Sequence, residues 1–186
     1  MCNFSKFHTL LGVRGDVMKP NTLDQLYRTH MMDVYRYLRL LCRDDATAED
    51  LVQETFYRAY IHLENYQEER VKPWLFKVAY NTFIDMKRKE NRSVVRNSEC
   101  FHGIAAPSVL RPDAEVLRKE VMEEVREWIA TLPELQQQAL LLYDMNHLSY
   151  QEAANIMGVT LSHFKILLFR ARQGMRRSRE RSDAYE

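Results

Sequence analysis

The chain has 186 residues, 46% of them hydrophobic and 28% charged, and its formal net charge is +1 at pH 7. This composition is typical of a soluble globular protein and excludes a disordered or membrane-embedded chain. Only five glycines and five prolines occur, which favours helices over a β architecture rich in turns.

The charges are unevenly distributed along the chain. Eight lysines and arginines lie from Arg70 to Arg96 against two acids, and seven lie from Lys165 to Arg181 against one. Acidic residues gather instead in segments 44–54 and 113–134. Because such separation creates surfaces of opposite sign, we expect two partners, a basic protein surface and a nucleic acid.

The cysteines and the apolar runs of the chain indicate the cellular environment of the protein. The three cysteines, Cys2, Cys42 and Cys100, form no C-x-x-C pair, and their odd number without a signal peptide indicates a reducing, cytosolic environment. No apolar run is long enough to cross a membrane, so we expect no direct membrane insertion. We recognise no triad, paired carboxylates or phosphate-binding loop, and we expect no enzymatic activity, no cofactor and no metal site.

Helical periodicity starts after residues 1–21, which we expect to form a disordered N-terminal extension. From Thr22 to Arg43 apolar residues recur at steps of three and four, as in an amphipathic helix. The segment from Ala48 to Tyr60 continues as a second helix, whose buried face would comprise Leu51, Thr55, Ala59 and Leu63. Its other face would carry Asp50, Gln53, Glu54 and Tyr57. This stripe predicts a docking surface, with an ordinary solvated face as the alternative.

A third helix follows, with Pro73 in its first turn, where the missing N–H costs nothing. Its apolar stripe is Leu75, Ala79, Phe83 and Met86, and its polar stripe is Lys77, Asn81, Asp85 and Arg88. Trp74 suggests base stacking, but its apolar neighbours favour a place in the core. Three such helices predict a compact domain over residues 22–92.

The pattern breaks over residues 93–113, which contain Gly103, Pro107 and Pro112 and predict a flexible linker. Helical character returns from Ala114 to Thr131 and from Glu134 to about Asp144. The sequence therefore predicts an all-α fold with two small helical domains, the second over residues 114–179, followed by a tail at 180–186.

The second domain ends in a helix-turn-helix pattern. Ser149 and Glu152 form a capping box that starts a helix from Tyr150 to Met157, and Gly158 supplies the turn before a longer helix near Thr160. Periodicity places Leu161, Phe164, Leu168, Ala171 and Met175 inward. It places His163, Ile166, Leu167, Arg170, Gln173 and Arg177 outward, where they could enter a major groove.

Four motifs in this order resemble a bacterial RNA polymerase sigma factor of the sigma-70 family, in its small group-four or extracytoplasmic-function class. They are AEDLVQETFYRAY, WLFKVAYNTFID, LPELQQQALLL and LSYQEAANIMGV, and the resemblance runs from about Thr22 to Arg177. It implies a dissociable subunit that binds core RNA polymerase and directs promoter-specific initiation. A free-standing helix-turn-helix regulator is the alternative.

The resemblance also implies roles for individual residues. The acidic helix would dock on the clamp helices of the largest polymerase subunit through Asp50, Gln53, Glu54 and Tyr57. The third helix and the loop before it would recognise and open the promoter −10 element through Glu68, Lys72, Lys77, Asn81, Asp85, Arg88 and Lys89. The helix-turn-helix would read the −35 element through Ser162, His163, Lys165, Ile166, Leu167, Arg170, Arg172 and Arg176. For Asp85, a structural role in orienting Lys89 or Asn81 is an equal expectation.

Further partners follow from the same resemblance. They are the flap region of the polymerase, promoter DNA, and an anti-sigma factor that holds the protein inactive. A cytoplasmic location is expected, at the membrane if the anti-sigma factor is itself membrane-bound. The chain departs from the family at Ile166 and Leu167, where a small polar residue and an arginine are common. Both side chains are expected to face outward, where they could contact thymine methyl groups or a protein, and in either case direct guanine reading there is lost.

Overall fold

The computed structural model describes residues 23–62, 71–94 and 123–182. Within these ranges the chain forms helices and no β-strand, so the predicted all-α fold is confirmed. The helices are α1 (Leu23–Cys42), α2 (Asp45–Ile61), α3 (Val71–Val94), α4 (residues 123–130), α5 (Glu134–Leu140), α6 (Tyr150–Met157) and α7 (Leu161–Ser182). We call α1–α3 the N-terminal unit and α4–α7 the C-terminal unit. The predicted extension, Leu63, Glu68 and nearly all of the predicted linker lie outside the described residues.

The junction of α1 and α2 is specified by local chemistry. Arg43 takes a left-handed conformation with φ of 61° directly after α1, which ends at Cys42. Asp44 then caps α2, because its Oδ2 accepts a hydrogen bond from the backbone N–H of Thr47 at 2.7 Å. Asp45 in the first turn of α2 accepts hydrogen bonds from the side chains of Tyr35 and Arg39 on α1. These contacts hold α1 and α2 together at the junction.

The core of the N-terminal unit forms where the apolar stripes of its helices meet. The predicted stripes are confirmed over the described residues, because Leu51, Thr55, Ala59, Leu75, Ala79 and Phe83 are buried and Met86 is partly buried against the same core. Aromatic rings add edge-to-face contacts, with ring centroids 4.9 Å apart for Tyr27 and Phe56 and 5.3 Å for Tyr37 and Phe76. Trp74 is half-buried against this core, as expected. With the inner faces of α2 and α3 buried here, their polar faces remain at the surface.

The C-terminal unit contains the predicted helix-turn-helix. The Ser149 hydroxyl accepts from the backbone N–H of Glu152 at 3.3 Å, and the Glu152 carboxylate accepts from the backbone N–H of Ser149 at 2.8 Å, so the capping box is confirmed. Gly158 has φ of 68°, a conformation that glycine adopts without steric cost, and it ends α6. The Thr160 hydroxyl then accepts from the backbone N–H of His163 at 3.2 Å and caps α7.

Two features of the C-terminal unit were not predicted from the sequence. The helix after Pro133 changes to a π-helical turn over Leu141–Met145, and the Asn146 side chain donates to the Leu141 carbonyl at 2.8 Å. Gly174 on α7 lies so close to Leu132 that a Cβ atom there would overlap the Leu132 side chain. Glycine at this position lets the segment after α4 pack directly on α7.

The two units are in contact. The Lys77 ammonium on α3 donates to the backbone carbonyls of Asn155 at 3.1 Å and Ile156 at 2.6 Å, in the last turn of α6. The Arg43 guanidinium donates to the Ala130 carbonyl at 2.6 Å. Each contact joins a basic side chain of the N-terminal unit to a backbone carbonyl near the end of a helix, where the helix dipole favours a cation.

Candidate functional site

The predicted acidic face is formed on α2. Asp50 and Gln53 are exposed, and no partner for either lies in the described part of the chain. The Tyr57 side chain is 49% exposed beside them. Because the opposite face of α2 is buried, these groups point together into solvent, where they could bind a basic protein surface.

Glu54, the fourth member of the acidic face, is held by an ion pair within α2. The Nε atom of Arg58 donates to Glu54 Oε1 at 2.7 Å, and Nη1 of the same guanidinium donates to Asp85 Oδ2 on α3 at 2.8 Å. These bonds raise the pKa of Arg58, the one to Asp85 more than the one to Glu54. Asp85 does have a structural partner, but the partner is Arg58 rather than the expected Lys89 or Asn81.

The outer face of α3 presents several of the residues predicted for the −10 element. Asn81, Arg88 and Lys89 are exposed along it, and Arg88 Nη1 lies 3.9 Å from Asp85 Oδ1. The Lys72 ammonium lies 3.6 Å from Asp33 Oδ2 and 5.8 Å from the centre of the Phe76 ring. The arrangement places an amide and two cations along a surface that a nucleic acid strand could follow.

Lys77 lies at the contact between the two units and not on an open surface that could face DNA. Its ammonium contacts the end of α6, and burial there lowers the pKa of Lys77. The Tyr80 hydroxyl lies 3.5 Å from the Met157 carbonyl at the same junction. A DNA contact by Lys77 stays a prediction, and it would require the two units to move apart.

The outward face of α7 differs at one position from the prediction. Ser162, His163, Lys165, Arg170 and Arg176 are exposed as expected, and the Ile166 side chain is 48% exposed. Leu167, however, is only 6% exposed, so its predicted outward placement is wrong. At 100° per residue Leu167 lies on the same side as Phe164 and Ala171, and it packs in the core with them. Its burial leaves Ile166 as the exposed residue of the pair.

Arg172 is also less available than predicted. Its guanidinium donates to both carboxylate oxygens of Asp144, at 2.6 and 3.1 Å, and lies 5.4 Å from the centre of the Tyr143 ring. The Tyr143 and Tyr150 rings stack with centroids 4.4 Å apart, and the Lys165 ammonium lies 5.8 Å from the Tyr150 ring centre. Arg172 therefore joins α7 to the π-helical turn, and its phosphate contact stays a prediction.

Two family models match the chain, one over each of its two units. They are Sigma-70 region 2 over residues 26–93 and Sigma-70, region 4 over residues 122–175. The ECF RNA polymerase sigma factor SigM of Bacillus subtilis is 42% identical over 155 residues, which are 83% of this chain and 93% of that protein. The chain belongs to the ECF RNA polymerase sigma factors.

More distant relatives agree with this membership. The RNA polymerase sigma factor YlaC of Bacillus subtilis is 27% identical over 87% of this sigma factor and 94% of its own length. Among solved structures, the sigma factor RpoE bound to the anti-sigma factor NepR from Bartonella quintana matches with a TM-score of 0.72 at 22% identity. That match covers 84% of this chain and 96% of the other, and at this identity it concerns the fold alone.

Family membership decides the function class. A sigma factor is a regulatory subunit that directs RNA polymerase to promoters and is not itself an enzyme. The match to region 2 covers α1–α3, which a free-standing helix-turn-helix regulator would not need, so that alternative is excluded. None of the described helices is long and apolar enough to cross a membrane. Among the same residues no three His, Cys, Asp or Glu side chains are grouped to hold a metal ion.

Sequence reasoning missed two residues of these surfaces. Phe169 is 62% exposed and lies on α7 between Ile166 and Gln173, on the side most distant from the core. The helical period of α7 could have indicated it, because residues 162, 166, 169 and 173 lie on one stripe. Arg58 could not have been found in this way, since its bond to Asp85 joins two helices.

Proposed function

We propose that the sigma factor binds core RNA polymerase through Asp50, Gln53, Glu54 and Tyr57, on the clamp helices of the largest subunit. The observation that carries this proposal is the exposure of these side chains on one face of α2 while the opposite face is buried. Carboxylates clustered beside a partly exposed phenol suit a basic protein surface, and charged interface residues of this kind can dominate affinity.

The outer faces of α3 and α7 suit promoter DNA. On α3, Asn81, Arg88 and Lys89 would contact the −10 element together with Lys72 and Asp85, and Lys77 would join them after the units separate. Glu68, which lies outside the described residues, is proposed for the same element from the family resemblance. On α7, Ser162, His163, Lys165, Ile166, Arg170 and Arg176 would contact the −35 element, where Phe169 adds an apolar group suited to thymine methyl groups. The proposed domain limits are 22–92 and 114–179, joined by the linker 93–113.

An anti-sigma factor is the partner we propose for control. The related structures support this, since RpoE was solved with the anti-sigma factor NepR and CnrH with the cytosolic domain of CnrY. We further propose a cytoplasmic location and contact of the C-terminal unit with the polymerase flap region. Both proposals follow from the family's role as a polymerase subunit.

The polymerase-binding proposal is tested with Asp50→Ala, Glu54→Ala. This double variant should lose about 2 kcal/mol or more of core polymerase binding, measured by biolayer interferometry, while its helical circular dichroism is retained. A matched control is Glu124→Ala, Glu127→Ala, which removes two exposed carboxylates from α4. Equal affinity of the double variant and the wild-type protein would refute the assignment of the acidic face.

The DNA assignments are tested by separating promoter opening from initial binding. Holoenzyme with Asn81→Ala, Arg88→Ala should fail to open a duplex promoter in permanganate footprinting but should recover on a pre-melted bubble, because the bubble needs no strand separation. Holoenzyme with Arg170→Ala, Arg176→Ala should form closed complexes poorly, because it lacks cations suited to phosphate contacts. If the bubble does not rescue the first variant, α3 has no role in opening.

A further inference from the structure

Arg58 forms a polar contact between the two proposed functional helices of the N-terminal unit. Its guanidinium lies at the rim of the α2–α3 interface, with 31% of the side chain exposed. One edge binds Glu54 on the proposed polymerase-binding face, and the other binds Asp85 on the proposed −10 face. A guanidinium suits this bridge because its donors point in fixed, different directions.

The bond from Arg58 to Asp85 affects how the proposed −10 face of α3 can approach DNA. A carboxylate on a surface that approaches phosphates is repulsive unless a cation compensates its charge. Arg88 lies nearby, but its closest approach of 3.9 Å is too long for a hydrogen bond, and its side chain is 70% exposed. Arg58, at 2.8 Å, is the cation that compensates Asp85. Arg88 therefore stays available for a phosphate or a base.

The bond from Arg58 to Glu54 has a second consequence, which concerns the proposed polymerase-binding face. The Arg58 bond at 2.7 Å restricts the rotamers of Glu54, which lies one helical turn from Asp50 and Tyr57. An oriented carboxylate loses less conformational entropy when it binds a partner than a freely rotating one does. The same arginine thus acts on both proposed surfaces.

Resting on the proposed function, we propose that Arg58 is a positioning residue that orients Glu54 for polymerase binding and separately compensates Asp85 so that α3 can approach promoter DNA. Arg58 contacts neither partner in this role. Its two effects run through different carboxylates and are therefore separable by mutation.

The test is a double-mutant cycle in full-length protein with core polymerase, using Arg58→Gln and Asp85→Asn. With residue 85 as aspartate, Arg58→Gln should slow open-complex formation by about fivefold, the upper range for a surface ion pair. In the Asp85→Asn background the same substitution should slow it by less than about twofold, because no carboxylate remains to be compensated. Core affinity should fall about twofold to fivefold with Arg58→Gln in both backgrounds, because Glu54 loses its partner in both.

The two readouts distinguish a positioning role from a loss of folding. In a positioning role the effect of Arg58→Gln on opening depends on residue 85, whereas its effect on core affinity does not. A loss of folding would lower core affinity and slow opening together in a given background. Circular dichroism melting of all four proteins at one salt concentration measures any change in folding. Arg58→Lys provides a second variant, which keeps the charge near Asp85 but not the two-sided bridge. It should slow opening less than Arg58→Gln does. Arg28→Gln is the matched control, since it removes an arginine from an exposed ion pair with Asp24 on α1.

Two outcomes would overturn the inference. One is an equal slowing of opening by Arg58→Gln in both backgrounds, and the other is unchanged core affinity and opening in the Arg58→Gln protein. Failure of the proposed function gives a different result. The Asp50→Ala, Glu54→Ala protein would then bind core polymerase like the wild-type protein, and a pre-melted bubble would not rescue the Asn81→Ala, Arg88→Ala protein. Each result therefore refers to one proposal.

Discussion

Two neighbouring residues in α7 are expected to differ strongly in how much their truncation to alanine destabilises the fold. Leu167 is 6% exposed and packs in the core of the C-terminal unit, whereas the Ile166 side chain is 48% exposed. Leu167→Ala should lower the free energy of unfolding of this unit by about 3 kcal/mol, from lost transfer free energy and the cavity left behind. Ile166→Ala should change it by no more than about 0.5 kcal/mol, because alanine also has the higher helix propensity.

The measurement is urea unfolding monitored by tryptophan fluorescence. The chain has two tryptophans, so a Trp74→Phe background leaves Trp128 as the reporter in α4, next to the buried Ile129. All variants are compared in that background, so any effect of Trp74→Phe cancels. The transition reported by Trp128 gives the free-energy difference for the C-terminal unit.

Promoter binding supplies the second half of this test. Holoenzyme with Ile166→Ala should bind a −35 duplex with altered preference for thymine, because an apolar contact to the methyl group is removed. Holoenzyme with Leu167→Ala should keep its base preference at temperatures where the protein is folded. An equally small effect of both substitutions on the free energy of unfolding would contradict the burial of Leu167 and would return it to the DNA-facing surface.

Three further predictions concern other parts of the fold. Ser149→Ala should lower the free energy of unfolding of the C-terminal unit by about 1 kcal/mol in the same fluorescence assay, because α6 loses its cap; no change would contradict the capping role. Lys77→Met should broaden the distribution of distances between spin labels on the two units, because the last carbonyls of α6 lose their hydrogen-bond donor. The control Lys87→Met affects an ion pair within α3 and should leave that distribution unchanged. Burial raises the pKa of Cys42 to about 12, so its alkylation at pH 8 should be more than about a hundredfold slower than that of free cysteine. This rate, measured in a Cys2→Ser, Cys100→Ser background, should still be rising above pH 9, and a plateau near pH 9 would contradict the shift.

Local pattern was sufficient to predict most of the helices and their buried stripes. The spacing of Leu75, Ala79 and Phe83 repeats with the helical turn, so it identifies the buried side without any knowledge of the partner helix. The capping box at Ser149 and the turn at Gly158 were equally accessible, because caps and left-handed turns depend on residues within a few positions of each other. The exposed face of α2 followed from the same periodicity.

Pairs between helices needed the tertiary structure. Leu167 did not, because at 100° per residue it lies on the same side of α7 as Phe164 and Ala171, and its predicted outward placement misread that period. Arg58 and Asp85 are 27 positions apart and Lys77 and Asn155 are 78 apart, so no local period relates them. Such contacts depend on how each helix is rotated and where it crosses its neighbour, which is a property of the packed core as a whole.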